Sequence, residues 1–438
     1  MRILLAANAS YVPPRGGATR SNLVWLEHLA AAGHSCRVVA SELAHDRAGK
    51  LEQIRNEEMR VVVSQLDAAD GVEVVRHGSV LVFSSADPAR RGRLLREQIR
   101  GFQPDWVLVS SEDLGQVLLR ETVHEAPGRV VYLAHTPQLF PFGPASWNPD
   151  PNGAELVRLC AGVVAIGSHT AEYIRQHSGC EVTVIHPPIY PAGPLEKFGN
   201  FDEGLLTLIN PCAVKGITIF LWLARQCPEY WFGALPGWGT TATDRDALDS
   251  LPNVTVLANV KQIGQVLRRT RVLLMPSLWY EGFGLSVMEA MLRGIPVLAS
   301  DSGGLVEAKM GTRFALPVRP IERYEPVFDE HGLPMAVVPE QDVQPWVGAL
   351  RGLLSDRILY EDESETSRER ARQFVDSIRP EQMEEYLRSL IHKPAGRLRS
   401  ATVTSGPHDA LRHLSPEKRA LLLQRLRHKA SAVRNDAH

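Results

Sequence analysis

Short runs of β-branched and aliphatic residues alternate along the first half of the chain with stretches whose apolar positions recur every three or four residues. That rhythm is the signature of a parallel sheet covered by helices on both faces. "RILLAAN" reads as the first buried strand. After a loop, "SNLVWLEHLAAAG" predicts a helix with Leu23, Leu26 and Ala30 on its inner face, Ser21 as its cap and Gly33 as its stop. "CRVVAS", "VEVVRHGSVLVFSS", "WVLVSS", "RVVYLAH", "GVVAIGS" and "EVTVIHPP" follow as strands, each bounded by turn or helix residues. Residues 187–204, "PPIYPAGPLEKFGNFDEG", carry neither period and read as a linker. The alternation resumes with "LLTLIN", "YWFGALP", "NVTVLAN", "RVLLMPS" and "IPVLAS", interleaved with helices at 216–226, 261–269 and 285–293. Residues 318–339 break it as an inserted loop or hairpin, and 342–392 is helical. The pattern predicts two doubly wound α/β domains, 1–190 and 191–392 with its closing helices, and a tail over 393–438.

Composition narrows the class. At 438 residues the chain exceeds the usual single-domain size of roughly 100–200 residues. A hydrophobic share of 44% and a charged share of 22% are globular values, and a net charge of -2 supplies no global field for a polyanion, which argues against nucleic acid. Five scattered cysteines, without a C-x-x-C pair or a histidine cluster at metal spacing, suit a reducing cytosol. The start suits a buried strand better than a signal peptide, and the run "ITIFLWLA" is far shorter than the ~20 residues that span a bilayer. The expectation is a cytoplasmic protein without metal. Charge is nevertheless uneven: the tail from 393 carries +7 and the rest -9. In it, "LSPEKRALLLQRLRHKA" predicts a basic amphipathic helix capped by Ser415, with Pro416 at its first position and a stripe of Leu422, Leu423 and Leu426.

The candidate chemistry centres on "SLWYEGFGLSVMEAMLRG", a strand end, a glycine turn and a helix. Gly282 and Gly284 allow close approach of a ligand, and the amides around Gly284 to Ser286 lie at the positive end of the helix dipole, where a phosphate is favoured. Glu289 stands about one turn into the helix and Glu281 before the turn, so the pair suits two ends of one extended ligand whose hydroxyls carboxylates accept.

With Pro276 and Ser277 before it and "GIPVLASDSGG" after it, this segment resembles the signature of the retaining glycosyltransferases of family 4, which have the GT-B fold of two Rossmann-like domains facing across a cleft. The resemblance covers residues 1–392. It implies that Glu281 contacts hydroxyls of the donor sugar, that Glu289 contacts the nucleotide ribose, and that the amides of Phe283, Gly284 and Leu285 hold sugar and phosphate oxygens. In "INPCAVKG" Lys215 matches a lysine on the donor diphosphate. Asn210 stands where the family usually has an arginine, which leaves Lys261 or Arg15 as substitutes. Gly16 and Gly17 in "VPPRGGATRSN" match a loop facing the donor phosphate, although the G-x-G-x-x-G spacing of dinucleotide binding is absent. His135 in "VVYLAHTPQ" matches a histidine near the reacting sugar, and "ANV", ending at Val260, edges the base pocket. "GGLVE" also aligns, with Glu307 read as structural.

The resemblance implies transfer of a sugar from a nucleotide-diphosphate donor, UDP or GDP, to a hydroxyl of a small-molecule, peptide or lipid acceptor. Lys215, Glu281 and His135 form the catalytic set, with neither cofactor nor metal. A retaining hydrolase would need carboxyls ~5 Å apart across one bond, and the two glutamates are better placed for a long ligand. A catalytically weak GT-B scaffold and a peripheral membrane transferase acting on a lipid-linked glycan are the alternatives. The tail is also similar to connecting segments beside non-ribosomal peptide synthetase domains, and "PEQDVQPW" resembles transferases of natural-product pathways. That similarity implies docking of the tail to a synthetase protein, the alternative being an anionic membrane.

Overall fold

The computed structural model of the chain describes residues 1–14, 16–41, 61–67, 71–191, 193–260 and 262–390. Arg15, Lys261 and the basic tail segment lie outside them. Nine strands form the first sheet: β1 (Arg2–Ala6), β2 (Ser35–Ala40), β3 (Val61–Asp67), β4 (Val72–His77), β5 (Val80–Ser84), β6 (Trp106–Ser110), β7 (Val130–Ala134), β8 (Gly162–Ala165) and β9 (Thr183–Val184). Their order is β3-β4-β5-β2-β1-β6-β7-β8-β9. From β5 to β9 the neighbours are parallel, and strands such as β6, buried along its whole length, show why the sequence reads there as unbroken apolar runs.

Two local expectations are corrected. "VEVVRHGSVLVFSS" is a hairpin rather than one strand: the chain reverses at Gly78-Ser79, with Gly78 at φ 58°, so β4 and β5 pair antiparallel, and β3 pairs antiparallel with β4. The first helix runs over Gly17–Ala31, one turn earlier than the capping pattern suggests. Ser21 is not its cap; its hydroxyl donates back to the Gly17 carbonyl at 2.9 Å inside the helix, and Gly16 caps the end.

The second sheet has six strands, β10 (Leu205–Ile209), β11 (Phe232–Leu235), β12 (Val254–Val256), β13 (Thr270–Met275), β14 (Val297–Ser300) and β15 (Ala315–Leu316). All are parallel, in the order β12-β11-β10-β13-β14-β15. Residues 318–339 contain the antiparallel hairpin β16 (Tyr324–Phe328) and β17 (Pro334–Ala336). The chain thus forms two α/β lobes, each built on its own sheet.

The lobes are joined by more than residues 185–204, whose described residues contain no strand or helix. One apolar cluster runs from Leu5, Trp25 and Leu26 through Ile166 and Phe283 to Val287 and Val297. The last described helix, Gln382–Ser389, returns to the first lobe, where His34 Nε2 lies 3.0 Å from Glu384 and Tyr386 fills the space left by Gly162. Among the described residues no helix is long and apolar enough to cross a membrane.

Inside the second lobe Lys309 is fully enclosed, donating to the Val297 carbonyl at 2.7 Å and to Glu363 at 3.4 Å. Burial pulls the Lys309 ammonium down to about 8 against the opposing pull of Glu363, whose carboxyl burial raises. Removing one partner strands the other. Lys309→Ala is expected to cost roughly 3–5 kcal/mol and to lower the thermal midpoint, whereas the double change Lys309→Met with Glu363→Leu restores most of the loss; calorimetry of the three proteins checks this.

Candidate functional site

The C-terminal edges of the two sheets face each other, and the site lies where they meet. Strands β10 and β13 are neighbours, so the turns after them are neighbours too. The first turn carries Lys215 and the second Glu281, and the two side chains form a largely buried ion pair. Such proximity depends on Gly216, at φ 74°, where a Cβ would stand 1.9 Å from the Pro276 carbonyl oxygen. Ser277 donates its hydroxyl to the same carboxylate oxygen of Glu281, and the Lys215 ammonium lies 4.5 Å from the centre of the Trp279 ring.

Gly282 puts this loop directly on the first lobe: a Cβ there would lie 2.1 Å from the His135 carbonyl oxygen, and Thr170 donates to the Gly282 carbonyl at 2.9 Å. Phe283 is buried between His186 and Phe374, with ring centres 5.5 and 5.4 Å away. Gly284, at φ 114°, caps the Leu285–Met291 helix. Opposite it, Gly16 precedes the Gly17–Ala31 helix, and Gly17 is so close to Leu285 that a Cβ would come within 2.9 Å of that side chain. One turn into each helix, Arg20 donates to Glu289 at 2.8 Å across the cleft. Both acids singled out from the sequence therefore hold cations. Glu289 receives its own from the other lobe.

His135 directly follows β7, with its ring enclosed. Asn22 donates through Nδ2 to Ser110 Oγ at 3.0 Å, which leaves Asn22 Oδ1 to accept from His135 Nε2 at 2.9 Å. The proton thus sits on Nε2, and Nδ1 is a buried acceptor with no hydrogen-bond partner. Burial pushes the imidazole down to about 3, so the ring is neutral and offers a lone pair rather than a charge.

Asn210, at φ 57°, is buried and accepts at Oδ1 from the Gly239 amide at 2.9 Å, leaving its enclosed Nδ2 without a partner. Val260 packs against a small apolar group of Leu235, Leu257 and Val266. Glu307 accepts from the Ser168 and His169 amides at 2.9 and 3.1 Å, capping a first-lobe helix from the second lobe. The structure thus gathers Lys215, Glu281, Gly282 and His135 at one point and Gly16, Gly17, Leu285 and Glu289 beside it. Two residues escaped the sequence reading. Arg20 was a lone basic residue in a helix. Glu112, just beyond β6, keeps Oε2 enclosed without a partner, and burial raises its carboxyl to about 7; an acid at a strand end was its only signal. Among the described residues no group of His, Cys, Asp and Glu is arranged to hold a metal ion.

Comparison with known proteins agrees with this architecture. Residues 15–192 match the family model of Glycosyltransferase Family 4, and residues 234–356 that of Glycosyl transferases group 1. Among solved structures the chain is similar to sucrose-phosphate synthase from Thermosynechococcus elongatus, at 15% identity over 89% of this chain and 98% of that one, with a TM-score of 0.65. It is similar also to TarM of S. aureus in complex with fondaparinux, alpha-GlcNAc-glycerol and UDP, at 10% identity over 89% and 99% of the two chains and a TM-score of 0.60. HepE of Anabaena in complex with UDP-glucose gives 15% identity, 89% and 100% coverage, and a TM-score of 0.60. No curated protein matches the sequence. The structural neighbours establish the GT-B fold, and each lobe matches a glycosyltransferase family model over its own stretch of the chain.

The neutral His135 has a measurable consequence. Its folded value lies below the usual 6.5, so as pH falls through 6.5 the unfolded chain takes up a proton that the folded ring refuses. Stability is lost over that descent, with a slope approaching ~1.4 kcal/mol per pH unit for one proton. His135→Asn is expected to flatten the dependence between pH 7.5 and 5; urea midpoints across that range, compared between the two proteins, read the difference in slope.

Proposed function

We propose that this chain is a retaining glycosyltransferase that moves a sugar from a nucleotide-diphosphate sugar to a hydroxyl of a small-molecule, peptide or lipid acceptor. The observation that carries the reading is the convergence of Lys215, Glu281 and the Phe283-Gly284-Leu285 turn on one side of the cleft, with His135 and the Gly16-Gly17 turn on the other. The donor would lie along this line. Its ribose hydroxyls reach Glu289, its diphosphate lies between the two glycine turns, and its sugar sits between Glu281 and His135.

In the reaction the bond from the anomeric carbon to the diphosphate oxygen breaks as the acceptor oxygen bonds to that carbon from the same face. The acceptor proton passes to the departing phosphate. Charge growing on that phosphate is the quantity to stabilise, and a lysine ammonium ~4 Å away contributes roughly 4 kcal/mol at an effective dielectric near 20. Sugar hydroxyls replace the ammonium as donors to Glu281, which frees Lys215 to turn to the phosphate. The neutral Nδ1 of His135 accepts from a further hydroxyl and helps fix the sugar for departure of the phosphate on the face the acceptor enters. Asn210 offers its unpartnered Nδ2 as a donor, without charge. The protein's own groups supply the neutralisation in this scheme, with no metal. UDP is the first nucleotide to test, because HepE was solved with UDP-glucose.

UDP at 100 times its dissociation constant is expected to stabilise the protein by ~2.7 kcal/mol, seen as a raised thermal midpoint, with GDP as the comparison. Lys215→Ala is expected to weaken the nucleotide diphosphate at least tenfold, and Glu281→Gln to abolish turnover of the activated sugar while leaving nucleotide affinity within about threefold. If neither nucleotide shifts the midpoint, or if both variants turn over donor like the parent, the assignment is lost.

A further inference from the structure

A nucleotide sugar brings a diphosphate, and the side chains proposed above to meet it supply one cation, Lys215. Asn210 brings no charge to the position where the resembling family has an arginine, and its side chain is fixed in place with only Nδ2 left to donate: Oδ1 is held by the Gly239 amide and the residue packs so closely on Gly237 that a Cβ there would lie 2.6 Å from Asn210. Arg15 and Lys261, the substitutes suggested by the sequence, lie outside the described residues, and among those described another cation stands in the cleft.

Arg20 meets the geometric requirement. Its backbone amide bonds to the Gly16 carbonyl at 3.1 Å, so it stands one helical turn, about 5.4 Å, behind the glycine pair. The Gly17–Leu285 contact shows that this end of the helix faces the second lobe. The guanidinium is 42% exposed and only partly engaged: Nη1 donates to Glu289 at 2.8 Å, and Nη2 reaches the Ile189 carbonyl at a loose 3.4 Å. Five N–H donors in a planar fork allow one to stay on a carboxylate while others take a phosphate oxygen. Arg293 cannot do the same from its place near the end of the Leu285–Met291 helix, where it donates to the Glu289 backbone carbonyl and packs on Phe198.

We propose that Arg20 is a second cation for the donor diphosphate, held on Glu289 in the free protein and shared with the phosphates when the nucleotide binds. The inference rests on the donor reading above, in which Glu289 takes the ribose. The ribose is joined to the diphosphate through its 5′ oxygen, so a guanidinium resting on the ribose-binding acid is within one sugar unit of the first phosphate. The pair has a second effect. Arg20 belongs to the first lobe and Glu289 to the second, so the free protein spends on an ion pair across the cleft a charge that the ligand later claims.

The test separates contact with phosphate from support of Glu289. Affinities for UDP and for uridine are measured by ligand-observed NMR and calorimetry on the whole chain, the parent, Arg20→Gln and Arg20→Lys, with GDP and guanosine as the pair if GDP is the nucleotide that binds. The expected result is a loss of tenfold or more for UDP in Arg20→Gln, a change under twofold or a gain for uridine, a shallower salt dependence, and partial recovery in Arg20→Lys. Thermal midpoints without ligand confirm that the variants fold. Equal losses for UDP and uridine would make Arg20 a support for Glu289 alone, and undiminished UDP binding would remove it from the site; either result overturns the proposal. Failure of the parent to bind any of the four ligands would instead remove the donor reading and this inference with it.

Discussion

The space for a single missing side chain, between Gly282 and the His135 carbonyl, governs how this molecule is put together. The parallel strands of the two sheets present their C-terminal ends to each other, and the loop after β13 lies against the end of β7 because nothing projects from residue 282. Three further contacts depend on that approach: Thr170 on the Gly282 carbonyl, the cap supplied by Glu307 to the Ser168–Ser178 helix, and the meeting of Gly17 with Leu285. A cleft between lobes is a common place for a ligand in α/β proteins, since strand ends and helix starts leave unpaired backbone groups there. Here the cleft is narrow enough for residues from both sides to reach the same small molecule.

Electrostatics at the cleft follow from burial. Glu281 and Glu289 are both almost enclosed, and an unpaired carboxylate in such a place is costly, so each has recruited a cation. Lys215 comes from the adjacent strand turn and Arg20 from the opposite lobe. The two pairs differ in consequence. The Lys215–Glu281 pair lies within one lobe and stays intact however the lobes move, while the Arg20–Glu289 pair exists only when they are together. His135 shows the opposite response to burial: lacking a charged partner, it is neutral and contributes an acceptor.

Much of the fold was legible in the sequence, for a definite reason. A strand buried on both faces cannot alternate, so its apolar run is visible without knowing its neighbours, as in β1, β6 and β7. The glycine turn with its two acids was equally visible as a local pattern. The reading slipped where two local patterns were equivalent. Ser21 looks like a cap because serine bonds backbone amides, yet inside a helix the same hydroxyl bonds back to a carbonyl, and only the path of the chain through Gly16 selects between them. Likewise "VEVVRHGSVLVFSS" contains its turn residue, but two short strands and one long one share the same apolar pattern.

The sequence by itself determined the alternating α/β architecture, the glycine positions where backbone must pass backbone, and the acids and lysine placed at strand ends, because each follows from contacts within a few residues. The tertiary structure decided which charges meet. Arg20 and Glu289 are separated by 269 positions, and Lys215 and Glu281 by 66; no periodicity records such pairings. Ion pairs of this range form after the lobes have packed, when burial makes an isolated charge expensive and the nearest opposite charge is whatever the fold has brought within reach.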